Sequence, residues 1–239
     1  MNILILGCSF GVPNYFGPPG AAPEEHTESL LRAQGHWVYN CAINSGSNLE
    51  TLDRARRSLL GETIQHPSRQ DWPYPAMGQG QHIDWIVWFH TSVMRDVANY
   101  PGLVRLGHDR CRDLLARLAY DQCAVLQASL GARLALIGGA GALNHNFSQY
   151  LSADFVIHDW KEQILGVSVP PVQFMGKNVK EILSANADSL QYKETLVSQQ
   201  LDVLNQLRHS ELFPDGCHPG REPHHRLTQQ LIQAFDVKP

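Results

Sequence analysis

Asn2-Ile3-Leu4-Ile5-Leu6-Gly7-Cys8-Ser9-Phe10-Gly11 is the stretch from which the rest of the chain is read. An apolar run containing β-branched residues, halted by a glycine, predicts a buried strand with a sharp turn at its carboxyl end. Residues 11–23 are rich in Gly and Pro and predict a loop. Helical spacing follows over residues 24–34, with Leu30 and Leu31 on the apolar side and Gly35 as the stop. A second strand is expected at 37–42, a turn at Asn44-Ser45-Gly46-Ser47-Asn48, and a helix at 49–60 ending at Gly61.

The same alternation continues. Residues 83–89 predict a third strand, and 133–137 a fourth that stops at Gly138-Gly139. Between them, residues 105–130 form a long helical pattern in which Leu114, Leu115, Leu118, Val125 and Leu126 recur at steps of three and four. Residues 155–157 are a weaker fifth strand, 179–207 are mostly helical, and 223–235 form the last helix. Residues 62–82 show no period and carry Trp72 and Tyr74, so they read as a surface excursion. Strands alternating with helices imply a parallel sheet covered on both faces, in a single domain spanning residues 1–239. Ligands of open parallel sheets bind beyond the carboxyl ends of the strands. Ser9, Gly46, Thr91 and Gly139 each follow a predicted strand, so all four are expected on one rim.

Whole-chain properties narrow the function classes. With 239 residues and 43% apolar content the chain can bury a sizeable core. Its net charge of −4 offers no basic stripe for phosphates, so nucleic acid is not expected as a partner. The opening run has no basic residues before it and is too short for a signal peptide or membrane span. Five cysteines without a C-x-x-C pair favour free thiols in a cytoplasmic setting over disulfides or a zinc site. Oligomeric state is not legible.

Asp215-Gly216-Cys217-His218-Pro219 is the second informative stretch. A hydroxyl becomes a good nucleophile when a base takes its proton, and a carboxylate can fix that base's tautomer. Asp215, three residues before His218, is placed to do so, and Ser9 would arrive from elsewhere in the fold. Alone, each residue has an ordinary reading. Ser9 could be a turn serine, His218 a loop histidine, Asp215 a cap and Gly46 a plain turn glycine. Cys8 and Cys217 read as inert thiols. His224 and His225 read as residues at a helix start rather than metal ligands. Arg95 could bind an anion or pair with Asp96 or another carboxylate, His145 sits in a polar loop that could touch substrate, and Asn48 could cap a helix.

Taken in order, these blocks resemble the SGNH/GDSL hydrolase superfamily. The matching stretches are Gly7-Cys8-Ser9-Phe10-Gly11, then Asn40-Cys41-Ala42-Ile43-Asn44-Ser45-Gly46-Ser47-Asn48, and Asp215-Gly216-Cys217-His218-Pro219 with His224 beyond. The resemblance implies a flavodoxin-like three-layer α/β/α sandwich with a parallel five-stranded sheet. It also implies a serine esterase using a Ser9–His218–Asp215 triad and no cofactor. Small acyl esters, such as O-acetyl groups on carbohydrate, are the implied substrates. An acyltransferase acting on a glycan acceptor, a thioesterase and a non-catalytic binding domain are the alternatives on the same scaffold. The implied oxyanion hole uses the N–H groups of Ser9 and Gly46, and Arg95, Asn48 and His145 are candidate substrate contacts. One block departs: where members carry Gly-x-Asn, this chain has His90-Thr91-Ser92. A divergent group beginning Gly-Cys-Ser-Phe is similar in placing Thr or Ser there with an Arg shortly after, so either Thr91 or Ser92 would supply the third donor, or the oxyanion hole is weaker or the reaction altered.

Overall fold

In the computed structural model, residues 1–12, 23–43, 46–66, 69–74, 77, 81–139, 143, 151–165, 212 and 218–237 are described. The strands are β1 (Asn2–Gly7), β2 (Trp37–Asn40), β3 (Ile64–His66), β4 (Arg69–Tyr74), β5 (Trp85–His90), β6 (Arg133–Gly138) and β7 (Phe155–Ile157). The helices are α1 (Thr27–Ala33), α2 (Asn48–Leu59), α3 (Val93–Asn99), α4 (His108–Leu130), α5 (Trp160–Leu165) and α6 (Arg221–Asp236). The main sheet has the order β2-β1-β5-β6-β7 with every neighbouring pair parallel. Counting its own strands in chain order, this is the flavodoxin-like order 2-1-3-4-5.

Side chains alternate across a strand, and here both faces are buried, which is why β1, β5 and β6 are almost wholly apolar. Leu4, Leu6, Ile86, Trp88, Leu134 and Leu136 meet α2 and α4 on one face. Ile3, Ile5, Val87, Phe89 and Ile137 meet Leu31 of α1, Trp160 of α5 and Leu227 and Leu231 of α6 on the other. The chain leaves β1 toward β2 on one side and returns to β5 on the other. The strand order therefore reverses between β1 and β5, and beyond the carboxyl ends of two such strands lies the crevice where sheets of this kind bind ligands. Gly7 turns the chain there with φ of 132°, and a Cβ on it would lie 2.3 Å from the Phe89 carbonyl oxygen. Only glycine fits at that point.

Some expectations need correction. Residues 62–82 include the antiparallel pair β3–β4, with Ile64 opposite Tyr74 and His66 opposite Arg69, rather than a purely irregular excursion. Helices α3 and α5, of seven and six residues, are too short to show a period. In α4 the core face is made by Cys111, Leu115, Ala119, Tyr120, Cys123 and Leu126, whereas Leu114, Leu118 and Val125 are exposed. The expected helix over 179–207 lies outside the described residues. Among the described residues no helix is long and apolar enough to cross a membrane.

Candidate active site

Register places the candidate residues side by side before any side chain is considered. Gly7 pairs with Phe89 and His90 with Gly138, so Ser9, Thr91 and Gly139 extend three adjacent strands. The loop after β2 joins them through the Ile43 N–H, which donates to the Gly7 carbonyl at 2.9 Å.

Ser9 lies in a tight turn closed by the Gly11 N–H donating to the Cys8 carbonyl at 2.9 Å. Its hydroxyl Oγ is 2.9 Å from His218 Nε2, across 209 positions of sequence. Phe10, the next residue in the turn, packs its ring 5.7 Å from the His218 ring and 5.9 Å from that of Trp160. The turn that carries Ser9 thus helps seat the imidazole. Asn40 anchors the turn from behind: its Nδ2 donates to the Gly11 carbonyl and to buried Glu28 Oε2, both at 2.6 Å. Glu28 also accepts from Arg32 Nε at 3.0 Å.

Behind His218, α6 begins at Arg221 and carries the buried His224. The Thr27 N–H lies 3.4 Å from His224 Nδ1 and the Thr27 hydroxyl 3.0 Å. A nitrogen accepting from an N–H holds no proton, which places the ring proton on Nε2. The His26 ring lies tilted against the His224 ring at 4.4 Å, and Trp160 meets the His224 ring edge-on at 5.3 Å. Burial, then the imidazoles of His26, His225 and His218, hold His224 well below the usual histidine range. It is a neutral packing residue.

The opposite side of the crevice is held by Asp96 and Asn48. Asn48 is fully buried; its Oδ1 accepts from the Thr91 N–H and its Nδ2 donates to the Thr91 carbonyl, both at 3.0 Å. That Nδ2 also lies 3.1 Å from Asp96 Oδ2. Asp96 Oδ1 accepts from the Leu49 N–H at 2.9 Å, so a carboxylate meets the positive end of α2. Ser47 adds a capping box with Glu50. Burial pushes the Asp96 carboxyl up from its ordinary value, against the opposing pull of its hydrogen bonds from Leu49, Ser47 and Asn48.

These contacts revise several roles. Asn48 is a structural tie between α2 and the end of β5, not a substrate contact, because its amide is already engaged and inaccessible. Arg95 does not pair with Asp96; its Nη1 donates to the Gly46 carbonyl at 3.3 Å. The Gly46 N–H donates to the Ile43 carbonyl at 2.9 Å, so in this state that donor is occupied by its own turn. Glycine is required at 46 by that turn, since a Cβ would lie 2.7 Å from Ile43 Cβ. The Ser9 N–H has no acceptor among the described residues. Thr91 is fully buried, and its hydroxyl has no partner among the described residues, while Ser92 is partly exposed. Asp215 and His145 lie outside the described residues.

Sequence reasoning missed Asp96, Glu28, Trp160 and the pairing of Thr27 with His224. The Arg95-Asp96 pair was visible, but nothing local says that its acidic member reaches across to α2. Searched against protein-family models and against curated proteins, the chain matches none.

Proposed function

We propose that this protein is a serine esterase of the SGNH/GDSL kind, with Ser9 as nucleophile and His218 as general base. One observation carries the reading: a turn serine and a histidine from the far end of the sequence stand 2.9 Å apart at the switch point of a parallel sheet. Ser9 Oγ attacks the ester carbonyl carbon as His218 Nε2 takes the hydroxyl proton. The resulting oxyanion is met by the Ser9 N–H, and by Gly46 once its turn yields that donor. Collapse expels the alcohol, which leaves with the proton from His218. Water, deprotonated by the same imidazole, then attacks the acyl-enzyme and releases the acid. The resemblance gives Asp215, three residues before His218 in the sequence, the role of the carboxylate that holds the productive tautomer.

Small acyl esters, O-acetylated carbohydrate among them, are the substrates that the resemblance favours. The described cysteines Cys8, Cys41, Cys111 and Cys123 are free and buried, which supports a reducing, cytoplasmic setting. Burial pushes the Cys41 thiol up to about 12, so it is no competitor as a nucleophile.

Hydrolysis of para-nitrophenyl acetate tests the proposal. Ser9→Ala should lower kcat by on the order of a thousandfold or more. An undiminished rate would remove Ser9 from the mechanism.

A further inference from the structure

Among the described residues, Arg95 carries a charge without a counter-ion. Arg32, Arg57, Arg133 and Arg226 each meet a carboxylate within 3.0 Å. Arg95 meets none among the described residues; its side-chain bond is the one from Nη1 to the Gly46 carbonyl. The adjacent carboxylate, Asp96, is turned inward to Asn48 and Leu49. A guanidinium offers five N–H donors in a rigid fork, and most of this one remain open. The side chain is also partly buried, so water compensates its charge incompletely.

Its position gives that charge a use. Gly46 closes the turn that begins at Ile43, and Ile43 is bonded to Gly7, two residues before Ser9. The guanidinium therefore stands on the flank of the crevice that receives the scissile ester. We infer that Arg95 is an anion-binding residue of this crevice, and that the preferred esters carry an oxyanion group, carboxylate or phosphate, near the scissile carbonyl. This rests on the esterase reading above. An arginine fork pairs two parallel N–H donors with either group, which a neutral ester of the same size cannot match.

The test compares esters that differ in charge and in where the charge sits. Para-nitrophenyl butyrate is the neutral reference; mono-para-nitrophenyl succinate carries a carboxylate on the acyl side. Para-acetoxybenzoate and para-acetoxyphenyl phosphate carry the anion on the alcohol side and separate carboxylate from phosphate. The wild-type protein should prefer at least one anionic ester. Arg95→Gln should reduce the anionic-to-neutral ratio of kcat/KM by roughly tenfold to a hundredfold, mainly through KM, and Arg95→Lys should restore part of it. Equal fractional losses on all esters would show that Arg95 only holds the Gly46 loop, and would overturn the inference. So would the absence of any anionic preference in a wild-type protein whose neutral-ester activity still requires Ser9. If Ser9→Ala leaves turnover unchanged, the esterase reading fails separately. Calorimetric binding of succinate and para-hydroxybenzoate then decides the subsite without turnover: weakening in Arg95→Gln supports it, and equal or absent binding refutes it.

Discussion

The two flanks of the crevice are built from opposite electrostatic materials. On one, α1, α5 and α6 bring His26, Thr27, Trp160 and His224 up behind His218. On the other, α2 and α3 bring Asn48 and Asp96 behind Thr91 and Gly46. The first flank buries an imidazole whose neutral form is favoured; the second buries a carboxylate held by neutral donors. The two respond to acid in opposite senses.

The largest effect should come from breaking the carboxylate flank. Asp96→Ala leaves the Leu49 N–H without its acceptor inside the fold and removes one of the two acceptors of the Asn48 amide, costing about 2–4 kcal/mol in urea unfolding. A loss under about 0.5 kcal/mol would show that water replaces the carboxylate and that the tie is incidental.

The pH response sharpens the contrast. His224 is held below its ordinary value of 6.5, so its neutral form supports the fold above that pH. That support is lost as pH falls from 6.5 toward the lowered folded value. Asp96 is raised above 3.8, so the folded protein takes up its proton more readily than the unfolded chain. Its contribution is fully present below 3.8 and disappears as pH rises through the raised value. Melting temperature followed from neutral to mildly acid pH should therefore fall less in His224→Asn than in the wild type. Parallel curves would mean that His224 does not carry the acid limb.

A smaller loss, about 1 kcal/mol, is expected for Thr27→Val, which keeps the shape but removes the hydroxyl beside His224 Nδ1. Chemical denaturation measures it. The smallest effect belongs away from both flanks: Leu118→Lys on the exposed side of α4 should change stability by no more than about 0.5 kcal/mol. Burial of Leu118 against an uncharacterised neighbour would show as a larger loss.

The strands of the main sheet were legible because buried parallel strands are continuous apolar runs ended by glycine, as at Gly7 and Gly138. The β3–β4 pair was not, since Pro73 and the polar residues around it give no alternation. In α4 the large aliphatics straddle two faces, and small residues such as Cys111, Ala119 and Cys123 mark the buried one. Proximity of Ser9 to His218 could be expected only from the joint pattern of distant blocks. The Asp96–Leu49 and Thr27–His224 bonds span 47 and 197 positions, a separation at which no local spacing signals a contact.

The central claim is that His218 activates Ser9, and covalent labelling tests it most directly. A fluorophosphonate, followed by peptide mass spectrometry, should place one adduct on Ser9, with the labelling rate falling steeply in His218→Ala. An adduct on another residue, or a rate unaffected by loss of the imidazole, would contradict the claim.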